Sequence, residues 1–335
     1  MASGPDANAL SVVTTAGAFK MLVGPKGGGI SDIAWPSDGA YIAYLQAKSA
    51  ANYHSALEVY DVATGAVWQV LVGGATPYDI AGYTWIAPTK LIAAVFTSKG
   101  GTYHANGTLY TVDVATGSAT PLKDNTGKTV LGAEPSASAD ATSIAFVHWG
   151  GVSGGMVAES LELLDAGTLS VTAVAHGTAP TEAGGDSFDY PVISPDGSMI
   201  ATSSTGSDVG FSLSVYRVDG TKAFGHSGLT WPTRPAWNPM IPDRLAYAAG
   251  PETTASDRLY VESPTARATV LTIKGNSIGD PAWSSDGDNV AYTVFGMNSN
   301  NGNLYVTSSS AGSTPQLLLK NASWPAWGEA SIPGL

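Results

Sequence analysis

The sequence predicts an all-β fold, a β-propeller built from four-stranded antiparallel sheets. Two interleaved repeats predict it, together with a composition unsuited to helices. The first repeat is an alternating strand that opens on leucine: LSVVTT at Leu10, LEVYDVATG at Leu57, LYTVDVATG at Leu109, LELLDAGTL at Leu161, LSVYRVDGT at Leu213, LYVESPTAR at Leu259 and LYVTSSSAG at Leu304. Successive copies lie 45–52 residues apart, the size of one propeller blade. The second repeat is a short strand, a turn and a longer strand, as in DIAWPSDGAYIAYL from Asp32 and DPAWSSDGDNVAYTV from Asp280. Asp-Gly between alternating apolar runs signals a hairpin, because glycine tolerates the positive φ such turns require. No capped segment of helical period stands out.

Each period therefore supplies four strands, A to D in chain order. A is the short PAW-type strand and B follows the turn. C is the leucine strand, and D resembles AVWQVL at 66–71. The chain begins with strands C and D, runs through six full units, and ends on a further A-like segment, WPAWGEASIPGL from Trp324. Joining the two ends makes a seventh blade and removes the open edges of the sheets. Six blades with loose ends is the alternative. The B strand of the joined blade is missing or carried by Ala330–Leu335. Residues 1–335 form one propeller domain in this reading, with 1–9 a flexible extension.

The segments PAWSSDG, VISPDGSMIA and DIAWPSDGAYIAY resemble the TolB-like, or PD40, propeller repeat, and the resemblance covers essentially the whole chain. It departs from TolB, which has six blades and an N-terminal α/β domain that these residues lack. It departs from the WD40 family because no Trp-Asp dipeptide closes a C strand. The resemblance implies fold, and only loosely function.

Charge narrows the partners. Fifteen Lys and Arg against 27 Asp and Glu leave a net charge of −12. A phosphate backbone or an anionic membrane surface is a poor match for that balance. Zero cysteines remove disulfides, zinc-thiolate sites and thiol catalysis. No run of 18 apolar residues predicts a transmembrane segment. The start, MASGPDANAL, has neither the charged nor the apolar part of a signal peptide. Either the protein is cytosolic or a leader has been removed.

Candidate sites follow from the propeller reading. The A–B and C–D turns are tight. The B–C connections read as long loops: 46–56, 97–108, 149–160, 204–212, 250–258 and 295–303. Function on a rigid scaffold resides in such loops. All five histidines map to that face: His54, His104 and His148 on or beside B–C loops, His176 and His226 on D–A loops. They are the candidate ligands for a divalent metal, as in the oligogalacturonate lyases built from similar repeats. No HExxH-type spacing supports this, and no cofactor is expected.

The position three residues before the PAW tryptophan carries Asp32, Gly82, Glu134, Tyr190, Arg234, Asp280 and Trp324. By repeat symmetry these ring the mouth of the central channel. Three acids, one arginine and two aromatics suit a cation, a basic peptide or a sugar. The tryptophans Trp35, Trp85, Trp237, Trp283 and Trp327 read as packing between blades. Two G-x-S-x-G matches, from Gly151 and from Gly275, lack the strand-to-helix setting of a nucleophile elbow.

The expected function is a non-catalytic, monomeric, extracytoplasmic scaffold that binds a protein or peptide at the channel mouth. The alternatives are a metal-dependent carbohydrate-active enzyme using the histidines and a lactonase-like hydrolase using the acids. Nucleic acid is not an expected partner.

Overall fold

The computed structural model describes residues 2–3, 9–25, 28–49, 52–70, 79–96, 106–153, 156–177, 188–206, 210–230, 232–251, 256–274, 276–296, 302–328 and 332–333. Strands account for all regular structure among them. No helix of these residues is long and apolar enough to cross a membrane. The chain falls into two compact units, Met1–Val70 with Ala236–Leu335, and Leu71–Pro235.

The first unit opens with β1 (Ala2–Ser3), β2 (Leu10–Val13) and β3 (Phe19–Val23), paired in the order β1-β2-β3. A four-stranded meander follows: β4 (Ile30–Ala34), β5 (Tyr41–Ser49), β6 (Asn52–Asp61) and β7 (Val67–Gln69). The second unit holds three more. They are β8 (Asp79–Ala87), β9 (Lys90–Phe96), β10 (Gly107–Asp113) and β11 (Ser118–Pro121); then β12 (Leu131–Ala137), β13 (Ser143–Ser153), β14 (Met156–Asp165) and β15 (Ser170–His176); then β16 (Asp189–Ile193), β17 (Met199–Gly206), β18 (Gly210–Arg217) and β19 (Lys222–Thr230). The chain returns to the first unit with β20 (Ala236–Trp237), β21 (Leu245–Pro251), β22 (Ser256–Ser263) and β23 (Ala266–Lys274). The last meander is β24 (Asn276–Ile278), β25 (Ala282–Trp283), β26 (Asn289–Gly296), β27 (Gly302–Ser308) and β28 (Gln316–Leu319), with β24 and β25 both paired to β26. These are the expected A-B-C-D units of a β-propeller.

The turns explain the repeat's composition. In Ser194-Pro-Asp196-Gly, the Ser194 hydroxyl donates to Asp196 Oδ1 at 2.6 Å and accepts the Met199 N–H at 3.0 Å. Gly197 sits at φ 73°. Ser138 with Asp140, and Ser284 with Asp286, repeat the arrangement. The C–D turns use aspartate, with a threonine beside it. Asp61 Oδ1 accepts N–H groups from Ala63 and Thr64, and Asp113 Oδ1 accepts those of Ala115 and Thr116. Such local bonds satisfy backbone donors where the ladder stops. The aspartates are thus turn hardware.

Between meanders the core is aliphatic and aromatic. Ile92, Leu109, Ile144, Phe146 and Leu164 form one cluster of the second unit; Val147, Leu161, Phe188, Ile193 and Ile200 belong to another. Trp237 and Trp283 are buried, as the packing role requires, while Trp35 and Trp327 are partly buried against neighbouring clusters.

Three expectations need correction. Much of the expected B–C loops is strand. β5 and β6 stay paired to Ser49 opposite Asn52, β13 and β14 to Ser153 opposite Met156, and β17 and β18 to Gly206 opposite Gly210. Glycine and serine read as loop in sequence, but a ladder already in register below them offers each added pair hydrogen bonds that offset the entropy of ordering it. Second, Trp324–Trp327 forms no ladder, yet Ala326 and Ile332 are buried against Leu10, Val23 and Ile30. Third, the strand beside β2, opposite β3, is Ala2–Ser3; of the other candidate, Ala330–Leu335, only 332–333 lie among the described residues.

Candidate functional site

The position aligned before each tryptophan has a common backbone fault. β4 pairs Ser31 with Leu45 and then Ala34 with Ala43, so one extra residue is accommodated. The same one-residue slip occurs at 80–83, at 133–136 and at 189–192. Ile278 pairs with Val294 and Ala282 with Ala291, again one residue too many. β4, β8, β12, β16 and the β24–β25 pair are thus bulged at the candidate position, while β20 begins only after it. A bulge bends the strand and re-aims a side chain out of the ladder.

The φ angles make the equivalence closer. Seven described non-glycine residues have positive φ, and four of them are Asp32 (48°), Glu134 (51°), Tyr190 (50°) and Trp324 (58°). Gly82, the fifth aligned residue, has φ 104°. Glutamate, tyrosine and tryptophan are costly at such angles, and strain of this kind gathers at functional sites. Arg234 and Asp280 do not share the left-handed angle. They stand just before β20 and between β24 and β25.

In the second unit the aligned residues touch one another. A Cβ on Gly82 would lie 3.0 Å from Glu134 Cα. Glu134 Oε2 accepts the Tyr190 N–H at 2.5 Å. Alongside, Thr84 Oγ1 accepts the Ala137 N–H and Ser136 Oγ accepts the Ile193 N–H. Glu134 therefore does more than supply charge: one carboxylate oxygen positions the next bulge. In the first unit Ser31 donates its hydroxyl to Asp32 Oδ2 at 3.0 Å. The Trp283 indole N–H donates to the Ala236 carbonyl at 2.9 Å, which sets β25 beside β20. Gly328 lies so close to the Trp35 ring that a Cβ would overlap it. Tyr190 and Trp324 are 47% and 42% exposed, unusual for large aromatics. Asp32, Glu134, Arg234 and Asp280 are half-buried. At this repeat position the first unit carries Asp32, Asp280 and the open Trp324 ring, and the second carries Glu134, Arg234 and the open Tyr190 ring.

The histidines sit otherwise than expected. His54 belongs to β6 and His148 to β13, both within strands; His176 ends β15, and His226 lies inside β19 opposite Leu213. His104 lies outside the described residues. His148 and His176 are both in register with Ser160, so they share one face of that sheet. His148 Nδ1 is 3.8 Å from Glu162 Oε1. Among the described residues no group of three or more His, Asp or Glu is arranged to hold a metal ion.

One residue outside the sequence reading emerges here. Glu159 on β14 is 8% exposed, and burial, reinforced by the charge of Asp189, pushes its carboxyl up to about 7. The Phe188 N–H and the Trp149 indole oppose that rise.

No family model and no curated protein sequence matches this chain. Solved structures do. TolB from Acinetobacter baumannii is similar over 97% of this chain at 15% identity and a TM-score of 0.53. The chain spans 64% of that protein's length. An oligogalacturonate lyase in complex with manganese is similar over 96% of this chain and 86% of its own, at 17% identity and a TM-score of 0.63. The Cps50 (Swd1) β-propeller domain from Myceliophteria thermophila covers 95% of this chain and 93% of its own at 10% identity and a TM-score of 0.53. The fold is that of the TolB-like and WD40-like β-propellers.

Proposed function

We propose that this chain is a non-catalytic binding scaffold that takes a basic or amine-bearing peptide segment of a partner protein. The two chain ends join in a seventh blade in this reading. The buried contacts of Ala326 and Ile332 with Leu10 and Val23 support that closure. The residues proposed to bind the peptide are the repeat-equivalent Asp32, Glu134, Tyr190, Arg234, Asp280 and Trp324. The observation that carries the proposal is the positive φ of Asp32, Glu134, Tyr190 and Trp324 at one repeat position. Formal charge at the mouth is three acids against one arginine, and a chain of net charge −12 adds long-range attraction for cations. The TolB resemblance supports a location outside the cytoplasm.

The alternative is a metal-dependent carbohydrate-active enzyme. Its support is the likeness to oligogalacturonate lyase and the placing of His148 beside Glu162.

Fluorescence anisotropy with a labelled oligolysine peptide tests the proposal, with labelled oligoglutamate as comparison. Oligolysine should bind, and binding should fall as salt rises past ~0.15 M, where the Debye length is ~8 Å. The triple variant Asp32→Asn, Glu134→Gln, Asp280→Asn should lose binding while keeping an acceptor for the Tyr190 N–H. Equal affinity for oligoglutamate, or an unaffected triple variant, would overturn it.

A further inference from the structure

Glu159 binds the chain on both sides of the link between β15 and β16. Its main-chain carbonyl accepts the N–H of Gly177, just past the end of β15, at 2.8 Å. Its carboxylate Oε2 accepts the N–H of Phe188, just before β16, at 2.6 Å. Phe188 is itself locked in the core, 1% exposed and edge-on to Tyr216 at 6.0 Å. Asp189 and Tyr190 follow, and the Tyr190 N–H is held by Glu134. One buried carboxylate therefore seats the stretch of chain that leads into the bulge at Tyr190.

We propose that Glu159 is a proton-operated clasp, which seats the Phe188–Tyr190 stretch firmly when protonated and loosens it when ionised. The physical basis is the cost of a buried charge. Ionised Glu159 keeps the Phe188 N–H but loses its hydration, and it faces the charge of Asp189. When the stretch lifts away, water reaches the carboxylate and the cost disappears. Among the described residues, Trp149 across the strand pair, Gly177, Phe188 and Asp189 face it, and the charge of Asp189 acts on it. His148 and His176 align with the neighbouring Ser160 and so point from the opposite face of the sheet.

The sign follows from linkage. The seated carboxyl titrates at about 7 and the released one near 4.5. The seated state therefore holds its proton more tightly, and its stability is complete below 4.5 and lost as pH rises to about 7. Nothing in this depends on what the mouth binds.

Amide hydrogen exchange of the full chain, corrected for intrinsic rates, tests it. From pH 5 to pH 7.5 the opening constant at Phe188 should rise by roughly 10–100-fold, as tenfold per unit of pH across most of that window requires. The Ile200 amide reports the core in the same experiment and should change much less. Glu159→Gln keeps the acceptor and removes the charge, so its Phe188 protection should vary less than about threefold. A flat wild-type profile, or the same rise in Glu159→Gln, overturns the proposal. A carboxyl 13C titration of the wild type is the second check: a midpoint near neutrality supports the clasp, and one near 4.5 refutes it.

Discussion

Gly82→Ala is the substitution that most sharply probes the contact between neighbouring bulges. Two costs apply. Gly82 has φ 104°, and an alanine held at positive φ loses roughly 1–2 kcal/mol. Its Cβ would also lie 3.0 Å from Glu134 Cα and 3.6 Å from Pro135 Cδ, which are parts of a fixed strand. Overpacking of that kind adds roughly 1–3 kcal/mol. The expected loss is therefore about 2–5 kcal/mol. Gly117→Ala separates the two costs. Gly117 has φ 70° in a C–D turn with no atom near its would-be Cβ, so only the conformational cost applies. Denaturant midpoints at fixed pH measure both variants. Gly82→Ala should be the more destabilised by at least 1 kcal/mol, and exchange of the Tyr190 amide should accelerate as Glu134 is displaced. If the two alanine variants lose the same stability, consecutive bulges do not press on one another, and the reasoning about the second unit's site fails.

Two other outcomes follow from the same structure. Asp113, Asp124, Asp140, Asp165, Asp196, Asp219 and Asp286 all have carboxyls held below the usual 3.8, chiefly by hydrogen bonds within their turns. Their stabilisation is complete above 3.8 and lost as pH falls through the lower folded values, so denaturant midpoints should drop steeply below about pH 3.8 and less steeply in Asp196→Asn. Deleting Ser323–Leu335 removes Ala326 and Ile332 from the cluster around Leu10, Val23 and Ile30. Calorimetry should then show a broadened transition or aggregation, whereas a melt as sharp as the parent's would exclude a structural role for this tail.

The fold was legible because its turns are written in local chemistry. Ser194-Pro-Asp196-Gly closes itself through hydrogen bonds within six residues, so the same letters yield the same turn in each copy. The repeat equivalence of these positions was legible, and their backbone form was not. Glu134, Tyr190, Arg234, Asp280 and Trp324 each precede a proline. A proline inside a strand belongs at an edge or a bulge, and that signal marks the fault the register reveals. The left-handed angles at Tyr190 and Trp324 carry no such local mark, since both residues are bulky. The hairpin arms were hidden because Gly150–Ser153 has loop composition, and only pairing with the 156–159 stretch makes it strand. Glu159 was hidden for a different reason. Its burial depends on Phe188, which is 29 residues away and in the next meander.

The proposed binding role requires the repeat-equivalent residues to surround one opening. The chain contains no cysteine, so paired Cys substitutions at 32, 134 and 280 give clean double spin labels. Pulsed dipolar spectroscopy on the three pairs measures their separations directly. The account predicts three narrow distributions of similar, short distance. A pair that exceeds the others by more than the width of a four-stranded blade, about 15 Å at ~4.8 Å per strand, would contradict it.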